Sequence, residues 1–122
     1  MSTHKNCQLF EYFICQVRKN PKKTAIIDSS VELSYGELAH EVDLLANELP
    51  YNDSNISKFI AVSTSSRYQF VIAILAILKN GYGYLPLDPN WPLERLKTVI
   101  LDSKIDLAMT STDDAEKLLS CN

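Results

Sequence analysis

The spacing of apolar residues in the first third of the chain predicts a helix followed by a hairpin. An apolar stripe at helical spacing runs through Leu9, Phe10, Phe13, Ile14 and Val17. Asn20-Pro21 ends that helix, because a residue before proline is pushed out of the α region. Residues 24–28 and 31–33 are short β-rich runs separated by two serines, which indicates a small hairpin.

Residues 34–37, SYGE, predict the start of a helix. Ser34 and Glu37 have the spacing of a capping box, and the leucines at 33 and 38 are placed to form a hydrophobic staple. The helix carries Leu38, Val42, Leu45 and Leu49 on one face and ends at Pro50.

The rest of the chain alternates strands and helices. Residues 59–63 are apolar on both faces, which is typical of a buried parallel strand. A second capping box at 66–69 opens a helix to about residue 80 that is apolar nearly all round. Gly81 suits a left-handed cap, and residues 82–87 follow as a strand.

The pattern then predicts one more helix and strand. Pro92 fits the first turn of a helix that presents Leu93, Leu96, Val99, Ile100 and Leu101. A strand over 105–109 and a short helix over 113–119 complete the chain. This β-α-β-α-β order predicts an α/β fold with a mainly parallel sheet and flanking helices.

Composition limits the function classes. The length of 122 residues predicts a single domain, residues 1–122. The net charge of −3 argues against nucleic-acid binding, and the basic cluster Arg18, Lys19, Lys22 and Lys23 is more simply a solvated helix end. The apolar run 70–78 is too short to cross a membrane, and the N-terminus has no signal-peptide core, so we expect a cytoplasmic protein.

Few side chains suggest chemistry. Three cysteines without a CxxC spacing make a disulfide framework or a zinc site unlikely, and His4 and His40 fall in different elements. Residues 63–66, STSS, could bind an anion at a helix start, but they lack a glycine and are better explained as a cap. We therefore predict no catalytic, cofactor-binding or metal-binding residue in this chain.

Three further features have structural explanations beside a functional one. Lys79 lies at a helix C-terminus, where a cation is favoured electrostatically. Asp88 precedes a proline and suits a turn better than a metal or ribose contact. Tyr82, Tyr84 and Trp91 could form an aromatic ligand wall, but packing within the layer is the simpler interpretation.

Two motifs and their flanks carry a family resemblance. Residues 33–38, LSYGEL, and 78–88, LKNGYGYLPLD, resemble the first two core motifs of the amino-acid adenylation domains of nonribosomal peptide synthetases. The continuation 89–96, PNWPLERL, is similar to the run that follows them. The motif positions are Leu33, Ser34, Tyr35, Glu37, Leu38, Leu78, Lys79, Gly81, Tyr84, Pro86, Asp88, Pro89, Pro92, Glu94 and Arg95. Asn80 and Gly83 depart from the small residues, often alanine, that are usual there.

The resemblance implies a fold and a reaction. It covers residues 8–119 and corresponds to the first N-terminal subdomain segment of an adenylate-forming enzyme. Such domains use ATP and Mg²⁺ to make an aminoacyl adenylate and then load a carrier-protein thiol. The phosphate loop ending in Pro-Lys-Gly, the substrate pocket and the catalytic lysine of that family are absent from this sequence, so we expect the chain to be inactive alone and to contain no cofactor site.

The sequence is also compatible with other functions. The chain could be a stand-alone remnant that binds or regulates a partner, because the truncated layer would leave apolar area and sheet edges uncovered. Expected partners are a complementary adenylation-domain polypeptide, a carrier protein of a synthetase, or a second copy, and neither nucleic acid nor membrane. A flavodoxin-like switch also fits the alternation, but Asp88 has no clear acidic partner at the other strand ends.

Overall fold

The computed structural model describes residues 2–52, 58–105 and 107–110, with side chains from residue 9 onward. The helices in this part of the chain are α1 (Ser2–Lys19), α2 (Tyr35–Ala46), α3 (Arg67–Lys79) and α4 (Leu93–Ser103). The strands are β1 (Thr24–Asp28), β2 (Val31–Ser34), β3 (Phe59–Ser63), β4 (Gly83–Pro86) and β5 (Ala108–Thr110). The helix predicted over 113–119 lies outside the described residues.

A three-stranded parallel sheet is the centre of the fold. Its strand order is β4-β3-β5, with Ile60 opposite Tyr84 and Val62 opposite Met109. Successive side chains of a strand point to opposite faces. Ile60 and Val62 therefore pack with residues of α3, whereas Ala61 packs with residues of α4. This arrangement confirms the predicted α/β class with a parallel sheet between helices.

The two outer strands are shorter than predicted. The Tyr82 N–H donates to the Ile77 carbonyl at 3.1 Å, so residue 82 belongs to the turn after α3 and β4 begins one residue later. Lys104 ends α4 in the left-handed conformation, with a φ of 54°. Residue 105 therefore still belongs to the turn, and β5 begins at residue 108 rather than 105.

The predicted hairpin is present as a separate two-stranded sheet. β1 and β2 pair antiparallel, with Asp28 opposite Val31 and Ile27 opposite Glu32. Ser29 in the connecting turn has a φ of 21°. The hairpin leads directly into α2 through Ser34.

The core is thickest on the face of the sheet covered by α1, α2 and α3. As the all-round apolar pattern predicted, α3 has most of its side chains enclosed, and Ala73, Leu75, Ala76, Ile77 and Leu78 are buried. Phe13 is the buried residue of the α1 stripe. Leu9 lies at the edge of that stripe and is 44% exposed, so the predicted stripe is only partly buried.

The other face is covered more thinly. Of the five side chains predicted for the α4 stripe, only Leu96 is fully buried. Leu101 is 73% exposed, because five residues of α-helix turn it about 140° away from Leu96. Pro92 is the N-cap residue rather than a residue of the first turn, and its carbonyl accepts from the Arg95 and Leu96 amides.

α2 ends earlier than predicted. Its last residue is Ala46, and the Glu48 and Leu49 amides donate to carbonyls three residues back, at 3.0 and 3.1 Å. These tighter i→i+3 turns end the α-helix before Pro50. Leu49 nevertheless packs against the core, as its place in the stripe predicted.

Candidate functional site

The carboxyl edge of the parallel sheet is the first place to look for a site. β3 connects through α3 to β4 on one side, while β5 pairs with the other side of β3. Ligands of open α/β sheets bind outside the carboxyl ends of the strands, where connections diverge from neighbouring strands. Ser63 and Thr110 end β3 and β5 at this edge and are register partners.

A cleft of about 310 Å³ opens at this edge, between β3, β5, α2 and α3. Its wall is mostly apolar and includes Val62, Ala73 and Met109. Its polar members are the side chains of Thr64, Gln69 and Thr110, and none of the described lining residues carries a formal charge. The described part of the cleft therefore suits an apolar or neutral group, and it offers no cation to a phosphate.

The segment 63–66 acts as a helix cap. Ser66 is the N-cap residue of α3, and its hydroxyl accepts from the Gln69 amide at 3.4 Å. The Ser66 amide donates to the Thr64 hydroxyl at 3.2 Å. These bonds use the groups that an anion would need, which supports the capping interpretation.

The two predicted capping boxes differ. At α2 the box is complete, since the Glu37 amide donates to the Ser34 hydroxyl at 3.1 Å and the Ser34 amide donates to the Glu37 carboxylate at 2.9 Å. At α3 only the bond from the Gln69 amide to the Ser66 hydroxyl forms. The Gln69 side-chain oxygen instead accepts from the Thr64 hydroxyl at 3.4 Å, so the predicted second box is wrong in its reciprocal bond.

The two charged candidates have structural partners. Lys79 forms an ion pair with the Asp43 carboxylate of α2, and both side chains are largely exposed. The Asp88 carboxylate accepts from the Asn90 amide at 2.9 Å, and its carbonyl accepts from the Trp91 amide at 3.0 Å. An aspartate that bonds the backbone two residues on forms an Asx turn, as the turn interpretation predicted.

The aromatic residues do not form one wall. Tyr82 and Tyr84 pack with Ile60 on the α3 face of the sheet. Trp91 packs with Ala61 on the α4 face, and the Arg95 guanidinium carbon lies 4.3 Å from its ring centroid. The packing interpretation is therefore confirmed, and the aromatic ligand wall is wrong.

Asn80 is a structurally important side chain whose role the sequence did not predict. It is 9% exposed, and its amide nitrogen donates to the Ala46 carbonyl at 2.7 Å and to the Leu49 carbonyl at 3.4 Å. These carbonyls lie at the end of α2, so the Asn80 side chain connects α3 to α2. In the sequence, the only sign of this role was a polar residue at a position where the resemblance implies a small one.

The motif positions occupy two junctions of the scaffold. Residues 33–38 connect β2 to α2, and Leu33, Tyr35 and Leu38 belong to the core cluster that also contains Leu75 and Ala76 of α3. Residues 78–88 run from the end of α3 through β4 to the Asx turn.

In the described ranges, no group of three or more His, Cys, Asp or Glu side chains comes together, and Cys15 is a free, exposed thiol. No helix in the same ranges combines the length and hydrophobicity needed to span a membrane.

Comparison with known proteins gives consistent matches. The model of the family described as AMP-binding enzyme matches residues 13–122. Cyclosporin synthetase simA of Tolypocladium inflatum is 38% identical over 100 residues, which is 82% of this chain and 1% of that protein. Gramicidin S synthase 2 of Brevibacillus brevis is 32% identical over 113 residues, 93% of this chain and 2% of that protein.

Solved structures give the same result. The nonribosomal peptide synthetase FmoA3 in its alpha-methyl-L-serine-AMP bound form superposes with a TM-score of 0.82 at 25% identity, over 90% of this chain and 12% of that one. The N-terminal subdomain of Klebsiella oxytoca NpsA superposes with a TM-score of 0.73 over 93% of this chain and 33% of that one. Its identity of 18% shows a shared fold alone.

Proposed function

This chain belongs to the AMP-binding enzyme family and matches the N-terminal part of nonribosomal peptide synthetase adenylation domains, and from this we propose that it supplies the N-terminal scaffold of an amino-acid-activating unit. The observation that carries the proposal is that a sequence likeness and a structural likeness each extend over most of the chain. The family model matches residues 13–122, and the structural superposition covers 90% of the chain. The residues 1–122 would act as one domain in this role.

The proposed reaction joins an amino acid to ATP with release of pyrophosphate, and the acyl group then passes to a carrier-protein thiol. It requires positive charge around the phosphates and a metal ion on their oxygens. The described residues do not fit a site for ATP or Mg²⁺, because the carboxyl-edge cleft has an uncharged lining and the Ser66 and Thr64 hydroxyls serve the α3 cap. We therefore assign both groups to other parts of the complete adenylation unit.

In this proposal, the chain contributes to the reaction by holding other parts of the adenylation unit in position. Ser34 caps α2, Asp88 forms the turn after β4, and Asn80 joins α3 to the end of α2, all through bonds internal to the scaffold. A scaffold of this kind acts on the reaction by holding the elements that carry the reacting groups, and a displacement of about 1 Å can cost about a hundredfold in rate.

A chimera tests this function directly. Residues 13–122 replace the aligned segment of one adenylation domain of gramicidin S synthase 2, and amino-acid-dependent ATP–pyrophosphate exchange is measured. We expect exchange with the amino acid of the recipient domain, at no less than about one hundredth of its original rate. The matched control is the same chimera with Ala76→Asp, which places a charge at a fully buried core position and should abolish exchange.

Two outcomes would contradict the proposal. One is a chimera that unfolds cooperatively with an intact circular dichroism spectrum but shows no exchange. The other is exchange by the purified chain alone, which would mean that the chemistry lies within these residues.

A partner-binding role is the second candidate. Within the described ranges, β4 and β5 each pair only with β3, so one edge of each strand is open to another chain. Co-expression of the chain with the rest of the recipient domain as a separate polypeptide distinguishes the two roles. Association without exchange would favour partner binding, whereas association with exchange supports the scaffold of a split adenylation unit.

A further inference from the structure

A second cleft lies at the opposite, amino edge of the sheet. It has a volume of about 310 Å³ and lies among the start of β3, the turn before β4 and described residues after α4. Six of its lining residues are Lys58, Phe59, Tyr82, Lys104, Ile105 and Leu107. None of them contributes to the carboxyl-edge cleft.

Apolar side chains form one side of this amino-edge cleft and remain partly open to solvent. Phe59 is 45% exposed and Leu107 is 40% exposed, although both belong to the region where the central strands begin. The Phe59 ring lies across the backbone of Gly83, where a Cβ atom would stand only 2.6 Å from the ring. The ring therefore lies against β4, and its remaining exposed part presents an apolar surface to the cleft.

Two lysines supply positive charge beside this surface. Lys58 immediately precedes Phe59, and Lys104 lies at the end of α4, both with exposed side chains. The left-handed backbone of Lys104 ends the helix and directs the chain towards β5. The chain as a whole has a net charge of −3, and the described lining of the carboxyl-edge cleft is uncharged, so the two lysines distinguish the described lining of the amino-edge cleft from both.

We propose that the amino-edge cleft docks an acidic segment of a protein partner that inserts one bulky apolar side chain. The apolar side chain would pack against Phe59 and Leu107, and flanking carboxylates would pair with Lys58 and Lys104. A peptide is favoured over a small molecule because the small-molecule sites of open α/β sheets lie at the carboxyl ends of the strands, the opposite edge. The inference does not depend on the proposed adenylation role.

The proposed interaction is weak and sensitive to salt. Exposed ion pairs contribute little each and are screened by ions, so most of the affinity comes from burial of the apolar side chain. The probe is a fluorescein-labelled peptide, Gly-Glu-Asp-Phe-Asp-Glu-Gly, titrated with the full chain in low salt and followed by fluorescence anisotropy.

Paired charge reversals give the decisive comparison. The double variant Lys58→Glu with Lys104→Glu should weaken binding at least about tenfold. The double variant Lys22→Glu with Lys23→Glu changes the net charge by the same amount outside the cleft and should weaken binding less than about twofold. Circular dichroism and thermal unfolding establish that each variant is folded before it is titrated.

Four results would overturn the proposal. They are no binding of the peptide up to about 1 mM, equal losses in both double variants, unchanged binding when the phenylalanine of the peptide is replaced by serine, and equally tight binding of 4-phenylbutyrate. Equal losses would indicate a general effect of net charge, and 4-phenylbutyrate binding would indicate a site for small carboxylates.

Discussion

The two ends of α3 are held in different ways. At the N-terminal end, the bonds of Thr64, Ser66 and Gln69 join residues two to five positions apart. At the C-terminal end, Lys79, Asn80 and Gly81 bond to residues 29 to 36 positions earlier in the chain. The first end is a local feature of the sequence, whereas the second joins α3 to α2 and to the loop after it.

This difference indicates that the C-terminal end of α3 contributes to the stability of the core, whereas the N-terminal end borders the candidate site. The N-terminal end opens towards the carboxyl-edge cleft, and its bonds do little more than start the helix. The C-terminal end fixes the relative position of two helices of the core. We therefore expect loss of the Asn80 side chain, which bonds to the end of α2, to cost more free energy of unfolding than substitutions at the cap.

The largest effect is expected for Asn80→Ala. It removes the donor to the Ala46 and Leu49 carbonyls and should lower the free energy of unfolding by about 2 kcal/mol, because partly buried acceptors lose their partner. The exposed Asn47→Ala is the matched control and should change it by less than about 0.5 kcal/mol. Urea denaturation measures both, and equal effects would remove the distinction between the two ends of α3.

A smaller effect is expected at the N-terminal cap. Ser66→Ala should cost about 0.5 kcal/mol, and Ser34→Ala about 1 kcal/mol, because the bond at α2 is shorter and belongs to a complete box. Ser30→Ala in the exposed hairpin turn is the control for loss of a serine. If Ser66→Ala lowered the free energy of unfolding more than Asn80→Ala in the same urea titrations, the expected order of the two ends of α3 would be reversed.

The smallest effect is expected for the exposed ion pair. A double-mutant cycle with Lys79→Met and Asp43→Asn should give a coupling free energy below about 0.5 kcal/mol, falling further in high salt. Asn80, the next residue in the chain, then provides most of the polar attachment between α3 and α2. A coupling above about 1 kcal/mol, unchanged by salt, would show instead that the ion pair is a main support.

The sequence predicted what depends on neighbouring residues. The α2 capping box, the left-handed Gly81, whose φ is 86°, and the β-α-β-α-β order follow from local patterns and are present in the structure. The family resemblance is confirmed by the family model and the relatives. The absence of catalytic, cofactor and metal residues stays a prediction.

Several features that the sequence did not predict depend on residues distant in the chain. The partners of Asn80 lie 31 and 34 positions away, and no spacing rule connects them. The separation of Tyr84 and Trp91 depends on which face of the sheet each reaches, and that is fixed only when β4 pairs with β3. The amino-edge cleft likewise joins segments that are far apart in sequence, so no motif indicated it.

The close approach of Phe59 to Gly83 limits how this scaffold can change during evolution. The two residues are register partners in neighbouring strands, and an added methyl group at position 83 would fall within 2.6 Å of the ring. An aromatic side chain that covers a glycine in this way compensates for the packing that the glycine lacks. A mutational path from Gly83 to alanine would therefore have to displace or replace the Phe59 ring, which makes the two sites an epistatic pair.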